Sequence, residues 1–230
     1  MDGNLQVAAA VGGFVGSHLL LSHPLRAPLV KALGAVGFQL LYTVVALLCL
    51  WWISNAYHAA PATGPLWPVG DGLWALGSTI MLLASVLLMG SLIGNPAMPG
   101  PGVRLPDEAR GVFAITRHPM LWSFALWGAA HIIVFPVAAN IIVAGGIAGF
   151  ALLGAAALDR KKMALVPALW RPWQAMTSYL PFQAIAERRA RFGGFRPHDL
   201  AGGLVIWLLA TWAHIPAAGI AAGIWRWLEF

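Results

Sequence analysis

The chain is short of charge, of acid and of cysteine. Only 10% of its 230 residues are charged, against about 25% in ordinary soluble domains. That deficit argues against a water-soluble globule and for a protein built for lipid. The single cysteine, Cys49, rules out an internal disulfide and any CxxC thiolate metal site; within Leu47-Leu48-Cys49-Leu50-Trp51 it reads as a packed apolar thiol. No Gly-rich phosphate loop, Ser/His/Asp arrangement, paired catalytic carboxylates, internal repeat or low-complexity tract is found. No basic segment precedes the first apolar run, since the chain opens Met1-Asp2-Gly3-Asn4, so that run reads as a span rather than a cleavable signal.

Hydrophobic residues make up 60% of the sequence. About 20 apolar residues cross a bilayer as helix, and six such runs are expected, over residues 5–21, 33–57, 73–93, 115–135, 138–158 and 200–227. The expected fold is all-α: one polytopic membrane helical bundle, residues 1–230, with six transmembrane helices. A short turn at Pro136 makes the fourth and fifth antiparallel neighbours. Residues 159–198 are too polar to span and read as an interfacial arm whose Trp170, Trp173 and Tyr179 suit the headgroup zone.

Thirteen of the 14 basic residues, Arg104 among them, fall on alternate loops, and only Arg226 lies on the other side. The positive-inside rule then places both termini outside a bacterial-type cytoplasmic membrane, and the arm inside. The formal net charge of +6 is explained by these membrane-flanking loops and anionic lipid rather than by nucleic acid.

Histidines carry the chemistry. His131, in Trp127-Gly128-Ala129-Ala130-His131-Ile132, lies deep in a span with no charged residue between it and Arg117. An ionisable group there is a functional hypothesis by default, and imidazole is the commonest metal ligand. His18, in Gly16-Ser17-His18-Leu19, sits nearer the cytoplasmic face, offset from His131 by roughly 9 Å of straight helix. His214, in Trp212-Ala213-His214-Ile215, matches the depth of His131, so on depth alone His131 and His214 form the better ligand pair. His23, His58 and His198 read as interfacial. In Thr116-Arg117-His118-Pro119, Thr116 is a helix cap and Pro119 suits the first turn. Arg117 and His118 are either interfacial anchors or partners for an anionic group of a cofactor or substrate. Asp159-Arg160-Lys161-Lys162 closes the fifth span as a snorkelling cluster, or pairs with acidic groups of a cofactor. Gly145, Gly146 and Gly149 suit close helix packing.

The blocks Ser17-His18-Leu19-Leu20, Gly37-Phe38-Gln39-Leu40-Leu41-Tyr42, Ile115-Thr116-Arg117-His118-Pro119-Met120, Leu126-Trp127-Gly128-Ala129-Ala130-His131 and Thr177-Ser178-Tyr179-Leu180-Pro181-Phe182 resemble, in this order, the NnrU family of integral membrane proteins. The resemblance covers nearly the whole chain. It groups the sequence with bacterial membrane proteins linked to nitrite and nitric oxide respiration and with plant 15-cis-zeta-carotene isomerase. It implies haem b, an iron cofactor, held axially by His18 and His131, with Arg117 and Arg160 or Lys161 at the propionates. It also implies cis–trans isomerisation of a lipid-soluble polyene, or else handling of nitric oxide. The plant enzyme's ligand-switching cysteine is replaced here by Gly128. The Arg117-His118-Pro119 block also looks like that of isoprenylcysteine carboxyl methyltransferases, but Asp159-Arg160 stands where those carry an acidic pair. Methyl transfer from S-adenosylmethionine is therefore the lesser alternative.

Overall fold

In the computed structural model, residues 2–98 and 105–228 are described; Met1, Arg104 and Phe230 lie outside them. Helix α1 (Gly3–Ser22) starts where the Asp2 carboxylate accepts from the Asn4 N–H at 3.1 Å. A tight turn leads into α2 (Arg26–Ala59), followed by α3 (Asp71–Ser91), the single turn α4 (Val112–Ile115), α5 (Pro119–Val134), α6 (Ala138–Leu165), α7 (Pro167–Met176), the short α8 (Gln183–Ala186) and α9 (Pro197–Ala218). A 3-10 turn, Gly223–Trp227, follows. No strand occurs among the described residues. Helices α1, α2, α3, α6 and α9 are each long and apolar enough to cross a membrane, and α5, at 16 residues, is a shorter apolar helix.

Neighbours run in the order α2, α1, α6, α5, α3, α9. Lipid tails give apolar helices no reason to associate, so close packing must hold them. Gly128 illustrates this. A Cβ there would meet the Ala144 carbonyl oxygen of α6 at 2.5 Å and the Ala148 methyl at 2.8 Å. Of the three glycines expected at contacts, Gly146 is pressed against Val11, whereas Gly149 has open space around it.

Several boundaries differ from expectation. The fourth span begins at Pro119, not Ile115, because proline has no N–H to give to a preceding turn and residues 116–118 run extended. The cap of α5 is His118; Thr116 instead donates to the Tyr179 carbonyl at 2.8 Å and accepts from the His118 N–H at 3.3 Å. The fifth span continues to Leu165, so Asp159–Lys162 lie within helix. The last helix stops at Ala218, where Gly219 takes φ 66°, well before Trp227. Helix α2 starts at Arg26 but is broken at Gly34, whose φ of 72° and ψ of 173° no L-residue adopts without strain.

Two of the arm's aromatics expected at the headgroup zone are core residues instead. Trp170 and Trp173 of α7 are fully buried and pack with Val86, Leu87, Val112 and Phe113, plugging the end of the bundle. The Trp173 and Phe113 rings meet edge-on at 5.6 Å. Arg189 ties the arm down by donating to the Thr177 carbonyl at 2.8 Å. The Arg196 guanidinium donates to the fully buried Asp199 carboxylate at 2.9 Å and to the Ile93 carbonyl at 3.2 Å, joining the foot of α9 to α3.

Candidate functional site

His131 lies in the last turn of α5, and His214 near the end of α9. Their rings stand 6.2 Å apart, centroid to centroid, and 33° from parallel. Both are half-buried, so the pair sits at the side of α3 rather than in a sealed core. The His131 Nδ1 contacts the Trp127 carbonyl at 2.8 Å, and the His214 Nδ1 contacts the Ala210 carbonyl at 2.7 Å. A carbonyl only accepts, so each Nδ1 carries the proton and each Nε2 keeps its lone pair. Among the described residues neither Nε2 has a hydrogen-bond partner. A tethered Nδ1–H and a free Nε2 are what a metal-bound imidazole needs. Asn140 of α6 fixes the end of α5 by donating to the His131 carbonyl at 2.9 Å and to the Phe135 carbonyl at 2.7 Å.

His18 is buried elsewhere, in an aromatic pocket. Its ring lies 4.1 Å from Phe14, 5.0 Å from Tyr42 and 5.5 Å from Phe150. Its Nδ1 also donates to a carbonyl, that of Phe14 at 2.7 Å, leaving Nε2 as the acceptor. The ring neighbours of His18 and His131 share no residue. Along α6, the rise from Asn140, beside His131, to Phe150, beside His18, is roughly 15 Å. Thus His131 is brought to His214, while His18 stands apart from both.

Arg117 and His118 do meet an acid, and it belongs to the chain. The Arg117 Nε donates to both Asp159 oxygens, at 2.9 and 2.8 Å; the His118 Nε2 lies 2.8 Å from Oδ1, and Trp170 Nε1 donates to Oδ1 at 3.2 Å. The His118 side chain is 1% exposed, and those of Arg117 and Asp159 12% and 13%. Burial pushes the Tyr179 phenol up, and the Asp159 carboxylate adds to it, so Tyr179 stays a donor, to the Leu152 carbonyl at 2.9 Å. The sequence offered one sign of this knot that went unused: a lone carboxylate at the end of a long apolar run. Arg160 and Lys161, the next two residues of α6, line a cavity with Arg26 and His23 at the mouth of α1 and α2. His58 is exposed and bonds only to the Ser54 carbonyl, while His198 lies 3.1 Å from Asp199. Among the described residues no group of three or more His, Cys, Asp or Glu side chains could hold a metal ion.

The architecture is that of a polytopic helical membrane protein in which two histidines, one from each of the helices flanking α3, lie close together. A family model described as NnrU protein matches residues 6–222, nearly the whole chain, and the chain belongs to the NnrU family. No curated protein and no solved structure matches it.

Proposed function

We propose that this protein binds haem b within the membrane through His131 and uses it on a lipid-soluble ligand. The observation that carries the reading is the His131–His214 pair, with both Nδ1 protons tethered, no hydrogen bond at either Nε2 and the rings 6.2 Å apart. Two protein ligands suffice for a haem iron. The geometry favours His131 with His214, and the family resemblance favours His131 with His18; His131 is common to both.

The residues divide the work. His131 is the fixed ligand, because Trp127 orients its ring and Asn140 clamps its backbone. His214 would be held less firmly. Pro216 offers no N–H to the Trp212 carbonyl, which loosens the last turn of α9 just before Gly219 ends it. Haem held there would supply an iron able to bind an alkene or nitric oxide. The apolar flanks of α5 and α9 would admit a long hydrocarbon sideways from lipid, which supports isomerisation of a polyene over chemistry on a water-soluble substrate. Arg117 and His118 already share Asp159, which weighs against their serving as the anion clamp of a methyltransferase.

The test is the absorbance spectrum and haem content of purified variants. His131→Ala should lose most of its haem and keep a folded bundle. His214→Ala should lose or alter it, and His18→Ala should leave it unchanged. Loss in His18→Ala with a normal His214→Ala returns the second ligand to His18, and full haem in His131→Ala defeats the proposal. Reduced, haem-loaded protein given a 15-cis polyene then tests the chemistry by chromatography of the isomers, with nitric oxide binding as the competing result.

A further inference from the structure

Two adjoining cavities open at the basic end of the bundle. One, of about 520 Å³, lies between the end of α1, the first turn of α2 and the last turns of α6. The second, of about 450 Å³, continues along α2 past Phe38 and Tyr42. Ser22, Arg26 and Lys161 border both, so they form one continuous cleft.

Its shape follows from Gly34. The break there ends the first two turns of α2, and the Arg26 guanidinium lies over the Phe38 ring at 5.7 Å. Beyond the break, α2 leans on α1 and scarcely touches α6. A gap is left, apolar along Phe38 and Leu165 and basic at its mouth. Arg26, Arg160 and Lys161 supply three positive charges. No carboxylate lines either cavity, and among the described residues none of the three forms an ion pair. Lys161 spends one donor on the Ser22 carbonyl, at 3.4 Å, and keeps two. Elsewhere in this molecule Arg117, Arg189, Arg196 and Arg226 all have acidic partners. Three uncompensated cations around a cavity that continues into an apolar groove fit a ligand with an anionic head and a hydrocarbon tail.

We propose that this cleft binds one anionic phospholipid. Its phosphodiester sits among Arg26, Arg160 and Lys161, and an acyl chain lies against Phe38 and Tyr42. Basic pockets between membrane helices on the positive-inside face are where such headgroups bind. The rise along α6 from Asn140 to Lys161 is roughly 31 Å, so a cofactor ligated at His131 would not reach these cations.

The experiment is native mass spectrometry of the protein released from membranes in mild detergent, with added phosphatidylglycerol or phosphatidylcholine. Wild type should retain one phosphatidylglycerol and release phosphatidylcholine. The triple variant R26Q/R160Q/K161Q should retain phosphatidylglycerol roughly a hundredfold less, from three lost headgroup contacts. Its haem content and helical circular dichroism should be unchanged. A charge-keeping R26K/R160K variant should retain the lipid, which separates charge from folding. Undiminished lipid in the triple variant overturns the proposal, as does equal loss in the charge-keeping one. Loss of haem in step with lipid reassigns the cleft to the propionates, and displacement by millimolar inorganic phosphate reassigns it to a small anion.

Discussion

Asp159→Ala should be among the most damaging single changes in this protein. The carboxylate gathers Arg117 and His118, from the segment before α5, and Trp170, from α7, onto one acceptor. Removing it leaves a guanidinium that is 12% exposed and an imidazole that is 1% exposed without their acidic partner. Stranding one member of a buried ion pair costs about 3–5 kcal/mol. For a chain of this size each kcal/mol lowers the melting temperature by about 2–4 °C, so the drop should be roughly 6–20 °C. Asp159→Asn keeps an acceptor oxygen but loses the charge, and should fall by about half as much, in line with 1.5–3 kcal/mol for a charge-assisted hydrogen bond. The double variant Arg117→Leu/Asp159→Leu removes both charges and should recover much of the loss. The assay is thermal unfolding in detergent followed by the fluorescence of the 12 tryptophans. A single Asp159→Ala variant melting within about 2 °C of wild type would refute the reasoning. So would a double variant no better than the single one.

Gly128→Val should prise α5 from α6, because its side chain would drive into the Ala144 backbone; low yield or a broadened unfolding transition would show it. Trp173→Ala empties a fully buried site and should cost about 3–5 kcal/mol by the same assay, whereas an interfacial tryptophan would cost far less. An alkaline phosphatase fusion after Phe230 should be active only outside the cytoplasm, as the alternation of basic loops requires; activity of a cytoplasmic reporter there would invert the topology.

Helix number and order were legible in the sequence because apolar run length is set by bilayer thickness, and the Pro136 turn was legible because proline marks a helix boundary. The approach of His131 to His214 was legible in part from their equal depth, but not that α5 and α9 both pack on α3, which brings the rings together. What escaped was any contact made across long stretches of chain. Trp170 and Trp173 have the composition of interfacial aromatics, and only the positions of α3 and α4 make them core. Asp159 read as part of a basic cluster, because nothing local shows that Arg117, 42 positions away, folds back to it. The break in α2 was hidden because a glycine within an apolar helix gives the same pattern whether or not it adopts a positive φ.

The brevity of α5 bears on the membrane itself. Sixteen residues rise roughly 24 Å, short of a hydrocarbon layer about 30 Å thick. At its basic end α4 and the arm cover the start of the helix, so the shortfall falls at the other end. There Trp67, from the connection between α2 and α3, donates to the Ile133 carbonyl at 3.2 Å. Hydrophobic mismatch therefore draws the lipid surface inward beside α5. Where the bilayer thins to match α5, the histidine pair, at the last turn of that helix, would lie close to its surface.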